Sequence, residues 1–178
     1  MAETFLISDT HFNHVEILKF IGKNGILMRG NSFSSIKEMN ECIYDNWNDI
    51  VKPHDTIYHL GDVVVNVDRE FATTFKKLNG KKILIAGNRD DIKFLMKEDL
   101  FQSIRICEGF EEDKGIILTH IPIHEKVCDS RKAKTRIINI HGHLHTEKSP
   151  SKFHRNVCVE WTGYKPIHID EAKDLRSF

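Results

Sequence analysis

Five short apolar runs punctuate this chain, and each ends abruptly in a polar cluster. Phe5-Leu6-Ile7 leads into Ser8-Asp9-Thr10-His11, Thr56-Ile57-Tyr58-His59-Leu60 into Gly61-Asp62, and Lys82-Ile83-Leu84-Ile85-Ala86 into Gly87-Asn88-Arg89-Asp90. Gly115-Ile116-Ile117-Leu118-Thr119 leads into His120, and Ile137-Ile138-Asn139-Ile140 into His141-Gly142-His143-Leu144-His145. Runs of this length, rich in β-branched residues and halted by Gly or Asp, read as buried strands. Helical patterns lie between them. Ser35-Ile36-Lys37-Glu38 is a capping box, with Ser bonding forward and Glu bonding back. Ile36, Met39, Ile43, Trp47, Ile50 and Val51 then keep one helix face until Pro53 closes the segment. Further helices are expected over 68–78 and 91–98. Strands alternating with helices imply an α/β fold with parallel pairing, whose site forms beyond the carboxyl ends of the strands. Every polar cluster stands at such an end.

The tail has a different pattern. Val157-Cys158-Val159 and Pro166-Ile167-His168-Ile169 read as two late strands, with a short helix near 170–175. Segments 22–33 and 122–135 are irregular and long enough to be functional loops. The 178 residues suit a single domain over 1–178 that buries its core without disulfides. No repeat, linker or low-complexity tract divides the chain.

Histidine is abundant, at 11 residues, and position gives the number its meaning. The clusters supply Asp-x-His, Gly-Asp, Gly-Asn, a lone His and Gly-His-x-His. Oxygen and imidazole donors mixed in this way suit Mn, Fe, Zn or Ni, whereas Mg and Ca prefer oxygen alone. Alternate residues leaving a strand point the same way, which would aim Asp9 with His11, and His143 with His145. Glycines at 61, 87 and 142 permit turns close against a metal pocket.

Asp9-Thr10-His11, Gly61-Asp62, Gly87-Asn88-Arg89-Asp90, His120 and Gly142-His143-Leu144-His145 together resemble the five blocks of the calcineurin-like metallophosphoesterases, in the family's order. The stretch from Glu38 through Asn48, with Tyr58-His59-Leu60-Gly61-Asp62, also resembles a small phage and bacterial branch of that family. The resemblance implies a two-sheet αββα sandwich of the metallo-dependent phosphatase type. It implies that Asp9, His11 and His145 bind one divalent transition metal and that Asn88, His120 and His143 bind a second. Asp62 would bridge the two and so belong to the catalytic set. Manganese is the first choice, with iron, nickel or zinc as alternatives. Two ions about 3.5–4 Å apart can activate a bridging hydroxide and clamp phosphate oxygens during in-line attack. No protein nucleophile is then needed, and no Cys-His or Gly-x-Ser-x-Gly arrangement offers one.

One position departs from the family pattern. Arg89 stands where the family usually carries a histidine that contacts phosphate and protonates the leaving oxygen. Arg stays charged and cannot act as the acid, but it can grip a phosphate oxygen bidentately. His14 is the nearest substitute acid. General acid assistance contributes about 10²–10⁴ in rate, so its loss implies a slower enzyme, or one biased toward phosphodiesters or activated esters. The alternatives are a phosphomonoesterase or protein phosphatase, and a non-catalytic scaffold on the same fold.

Other residues carry blander expectations. Asp90 orients a ligand or caps a helix. His59 and His141 pack or support ligands, and His54, His124, His154 and His168 are structural or exposed. Arg131, Lys132, Lys134 and Arg136 form a solvated run or a docking patch for a nucleotide or RNA end, and Arg29 is a similar candidate. Trp47 and Trp161 are expected in the core. Lys plus Arg equals Asp plus Glu, so net charge is zero and a dedicated duplex-binding protein is disfavoured. The expected partner is a substrate: a small phosphate ester, a nucleotide, or an RNA or DNA end. No run approaches the roughly 20 apolar residues of a spanning helix, so no membrane partner is expected. Cys42, Cys107, Cys128 and Cys158 include no C-x-x-C pair and suit reduced thiols in the cytoplasm. Oligomeric state stays open, with a homodimer allowed.

Overall fold

The computed structural model describes residues 2–23, 25–110, 115–129 and 137–177. The basic run Arg131, Lys132, Lys134 and Arg136 lies outside the described residues.

All five apolar runs form strands. β1 (Thr4–Ile7), β2 (Thr56–His59), β3 (Lys81–Ile85) and β4 (Ser103–Arg105) pair in parallel, with Leu6 opposite Tyr58 and Tyr58 opposite Ile83. In the second sheet, β5 (Cys107–Gly109) runs antiparallel to β6 (Ile116–Thr119), which is parallel to β7 (Ile138–His141) and through it to β8 (His154–Asn156). β9 (Ile167–His168) returns antiparallel beside β1. The result is one sheet of order β4-β3-β2-β1-β9 and another of order β5-β6-β7-β8.

Strand alternation serves two cores at once. Ile7, Ile57 and Leu84 face α1 (Ile36–Ile50), α2 (Arg69–Lys76) and α3 (Ile92–Lys97), in a cluster centred on Phe12, Trp47 and Phe75. Leu6, Tyr58, Ile83 and Ile85 face the other way, against Ile116, Leu118 and Ile140 of the second sheet. The first sheet is therefore buried on both faces, which is why its strands are continuously apolar. Trp47 is fully buried and donates its indole N–H to Asn79 O at 3.0 Å. Phe12, directly after His11, stacks on Tyr44 at 4.5 Å and so ties the first polar cluster to the core.

α1, α2 and α3 each start where a side chain can satisfy their free N–H groups. Ser35 Oγ accepts from Glu38 N, while the Glu38 carboxylate reaches one residue further back than expected and accepts from Ser34 N and Oγ. Asp68 caps α2 and Asp91 caps α3.

The tail and the loops differ from expectation. The late strand lies at 154–156, and Val159 instead opens a short helix, α5 (Val159–Thr162), after an α4 turn (Glu125–Cys128) within the expected irregular segment. Cys158 keeps a single parallel bridge to Ser8, with Val159 N donating to Ser8 O at 3.1 Å, and the chain turns into the helix directly after it. A final helix, α6 (Ile169–Asp174), places Ala172 in the inter-sheet core. Among the described residues no helix is long and apolar enough to cross a membrane.

Candidate metal centre

The polar clusters follow the carboxyl ends of β1, β2, β3, β6 and β7, and the two sheets bring those ends together. The backbone there is not extended. Asp9 (φ 57°), His11 (φ 48°), Asp62 (φ 56°), His143 (φ 68°) and His145 (φ 48°) all occupy the left-handed region. Each such non-glycine residue costs about 1–3 kcal/mol and persists only where its surroundings hold it. Five of the eight such residues described are candidate ligands. Asp-x-His and His-x-His therefore converge through paired left-handed turns, not through the strand alternation expected from sequence.

The holding contacts are explicit. Asp9 N donates to Gly61 O and His11 N to Asp62 O, both at 3.0 Å, which zips the first two loops together. Asp90 accepts from Asp62 N, Val63 N and Gly87 N at 3.1, 2.8 and 2.8 Å. Of its two expected roles, Asp90 thus clamps the Asp62 turn, and neighbouring Asp91 is the cap. Gly61 has φ 92°, and a Cβ on it would lie 2.6 Å from both Gly87 Cα and His120 Nδ1. Only glycine fits there without displacing the ligand.

Two donor groups assemble: Asp9, His11 and His145, and Asp9, Asp62 and His120, with ligand atoms within 4.8 Å of one another. Asp62 spans them, with Oδ1 3.5 Å from His120 Nε2 and Oδ2 3.5 Å from His11 Nε2. Asn88 Oδ1 lies 2.9 Å from His120 Nε2. His143 falls outside both groups; its ring is 5.0 Å from that of His120, and its backbone N–H bonds Asp9 Oδ2 at 2.9 Å. Asp9 Oδ2 also accepts from Ser8 Oγ and Cys158 Sγ, so Asp9 presents Oδ1 to the centre.

Three histidines have their outer nitrogen engaged. His120 Nδ1 donates to Leu60 O at 2.7 Å. His145 Nδ1 lies 3.0 Å from Glu160 Oε1, and an N–H there leaves Nε2 with a lone pair facing Asp9 Oδ1 at 3.8 Å. His11 Nδ1 lies 3.1 Å from His14 Nδ1. When His11 is the donor in that pair, its Nε2 too points a lone pair at Asp62. Burial and the Arg29 charge push His11 well below the ordinary imidazole range, and burial and Arg89 lower His14, so both rings are neutral.

This donor set fits divalent cations. Asp9 Oδ1 and His11 Nε2 are buried without a hydrogen-bond partner, a costly state for polar atoms that a shared cation relieves. Burial and the Asp9 carboxylate push the Asp62 carboxyl above its ordinary value, and positive charge between the two carboxylates would offset that repulsion. Metal-binding histidines typically donate their far N–H to a carboxylate or carbonyl, as His145 and His120 do here.

Beneath the centre lies a network that sequence reasoning misses. Arg29 is fully buried, so it is not the phosphate contact expected from its loop position. Its guanidinium donates to Asp9 O at 2.5 Å, Thr10 O at 3.0 Å and Glu160 Oε1 at 2.7 Å. Burial would raise the Glu160 carboxyl, but Arg29 and His145 outweigh it and hold it at about 2. Trp161 donates its indole N–H to His145 O at 2.6 Å. Arg29 and Glu160 are 131 residues apart and belong to no motif. The only signal was a Glu-Trp pair closely following the last histidine motif. Arg89 is exposed, and its backbone N–H donates to Asp62 Oδ1 at 2.9 Å.

No protein-family model matches the chain. It is 32% identical over 186 residues to the uncharacterized protein MJ1445 of Methanocaldococcus jannaschii, covering 96% of this chain and 89% of that protein. The chain belongs to the family of MJ1445. Similarity extends to the Gene 66 protein of Mycobacterium phage L5, 23% identical over 205 residues, with 98% of this chain and 94% of that one covered. The crystal structure of the protein of unknown function AQ665 from Aquifex aeolicus shares the fold, with a TM-score of 0.74 and 30% identity over 98% of this chain and 100% of that chain.

Proposed function

We propose that this member of the MJ1445 family hydrolyses phosphate esters with two divalent transition-metal ions, in the manner of the calcineurin-like metallophosphoesterases that its motifs resemble. Phosphodiesters are the favoured class, including nucleotide or nucleic-acid-derived substrates. The observation that carries this reading is the convergence of His11, His120 and His145 Nε2 on the Asp9 and Asp62 carboxylates, each with its outer nitrogen engaged.

Asp9, His11 and His145 would hold one ion, and Asn88, His120 and His143 the other, with Asp62 shared. Manganese is the first choice, and iron, nickel and zinc suit the same donors. The ions would supply a water-derived nucleophile near neutral pH and neutralise phosphate charge.

The chain's own residues supply the rest. Arg89 stands exposed beside Asn88; it would grip a phosphate oxygen and stabilise its charge, and it cannot donate a proton. His14 was the expected stand-in acid, but its Nδ1 is committed to His11, while its Nε2 lies 4.0 Å from Glu16. That geometry favours orienting His11 over delivering a proton. Leaving groups that depart without an acid, and diesters already short of one negative charge, then fit best. The four cysteines are free, which supports action in a reducing compartment such as the cytoplasm.

The test is turnover of bis(p-nitrophenyl) phosphate against p-nitrophenyl phosphate with Mn, Fe, Ni and Zn. The diester should be the better substrate, and Asp62→Ala should lower metal-dependent turnover by at least about 10³-fold. Turnover that survives chelation or the Asp62→Ala change removes the metal mechanism, and faster monoester cleavage removes the diester preference.

A further inference from the structure

The recess beside the two C-terminal ligand histidines has a character of its own. Its volume is about 390 Å³, and His143 and His145 form part of its wall. That size falls within the roughly 300–1,000 Å³ of small-molecule sites. Ile21, Met28 and Leu144 supply its apolar sides. Ile21 and Met28 come from a hairpin in which Ile21 pairs with Leu27, Gly22 N donates to Ile26 O at 2.9 Å, and Met28 N donates to Phe20 O at 2.8 Å.

The hairpin region is unusually greasy for a surface. Of the nine exposed large hydrophobics described, five fall between residues 15 and 27: Val15, Phe20, Ile21, Ile26 and Leu27. Its base reaches the metal centre through Phe20, whose ring lies edge-on to His14 at 5.3 Å. Exposed apolar side chains concentrated in one segment, of which Ile21 also lines the recess, suit a binding surface.

Charge decides what the recess receives. Its only cationic lining residue among those described, Lys23, is paired with Glu147 at 2.7 Å. A second phosphate or a nucleic-acid backbone would call for an excess of Lys or Arg, and among the described lining residues the single Lys23 is balanced by Glu147. We propose that this recess is the subsite for an uncharged aromatic or aliphatic substituent on the phosphate ester. The assignment rests on the phosphoesterase reading and narrows its substrate class to esters carrying a bulky, uncharged group on the non-leaving side.

The experiment compares phenyl and methyl p-nitrophenyl phosphate as substrates of the metal-supplemented full chain. The leaving group is the same in both, so the difference reports the substituent. Wild type should favour the phenyl ester by at least about tenfold in kcat/KM, from burial of one ring. Ile21→Ser and Met28→Ser, each a change in the hairpin, should bring that ratio within about twofold by slowing the phenyl ester alone. An n-hexyl ester and a thymidine 5′ ester in the same series tell an alkyl from a nucleoside occupant. A wild-type ratio near one, a ratio unchanged in both variants, or equal loss on both esters overturns the assignment. Calorimetry with phenylphosphonate and methylphosphonate separates the two readings. Tighter phenylphosphonate binding, lost in the variants, without any ester turnover keeps the subsite and rejects hydrolysis. Neither preferential binding nor turnover rejects both.

Discussion

Two ion pairs flank the loop that carries His143 and His145, and both close at 2.7 Å. Arg29–Glu160 has side chains 0% and 4% exposed, whereas Lys23–Glu147 has side chains 82% and 40% exposed. The distance is the same and the physics is not. In water, a flexible Lys–Glu pair gains little Coulomb energy and loses side-chain entropy. In the interior, neither partner can recover solvation if the other is removed. Arg29 also holds the carbonyls of Asp9 and Thr10, so the buried pair braces both the first ligand loop and, through Glu160, the last one. The exposed pair ties a surface hairpin to the same last loop. The contrast teaches that the centre is built rigidly from below and covered loosely from above.

The largest effect should come from breaking the buried pair. Arg29→Ala leaves Glu160 with only the His145 ring as its partner and two loop carbonyls without their donor. Loss of one partner of a buried pair costs about 3–5 kcal/mol, so urea unfolding should show a loss of that order. A loss under about 1 kcal/mol would mean that Glu160 finds another partner and that the bracing account is wrong. A milder probe, Glu160→Gln, removes the charge but keeps the shape beside His145. Outer partners of metal-binding histidines typically contribute about 10–100-fold in metal affinity. Calorimetric titration of the metal-free protein should therefore show one of two metal affinities weakened by that factor and the other unchanged. An equal fall in both would point to general damage instead.

This contrast also separates what was legible in the sequence from what was not. The strand ends were legible because each apolar run needs a stop, and the stops carry Asp, Asn, Gly and His. Parallel pairing then brings Asp9 and Asp62 to one place, and the packing of the second sheet on the first adds His120. The bracing was hidden because Arg29 sits in an irregular loop and Glu160 on a four-residue helix; a lone charge in either setting reads as surface. The left-handed turns were hidden too. Asp-x-His spacing suits an extended strand as well as a pair of tight turns, and only the contacts of Asp9 N and His11 N with the second loop decide between them. Val157-Cys158-Val159 has strand composition, yet it forms only one parallel bridge, Cys158 to Ser8, before the chain turns into a helix that delivers Glu160.

Acid sensitivity should follow the buried side as well. His59 is fully buried, hydrogen-bonds Thr10 Oγ1 at 2.9 Å, and is held by burial at about 3. Its folded value is depressed below the unfolded value of about 6.5. The unfolded chain therefore takes up the proton first, and stability is lost as pH falls from about 6.5 toward 3. Glu160, held at about 2, adds a second loss as pH falls from its unfolded value of about 4.3 toward 2. Stability of the metal-free protein against pH should decline in both windows. His59→Gln should reduce the slope of the upper one, to which the lowered His11, His14 and His141 also contribute, and leave the lower one in place. A profile with an unchanged upper slope in that variant would assign the sensitivity to another group.

The smallest effect belongs to the exposed pair, and it is the control that gives the others meaning. Lys23→Ala removes a contact as short as the buried one, yet exposed pairs contribute about 0–1 kcal/mol. Urea unfolding should shift by no more than that, and raising the salt concentration should shrink even this difference, because solvent ions screen exposed charges. Metal affinities should stay as in the wild type, since Lys23 touches Glu147 and no ligand. Were Lys23→Ala to cost as much as Arg29→Ala, the loop would depend on being tied from outside, and burial would not be what distinguishes the two sides of the centre.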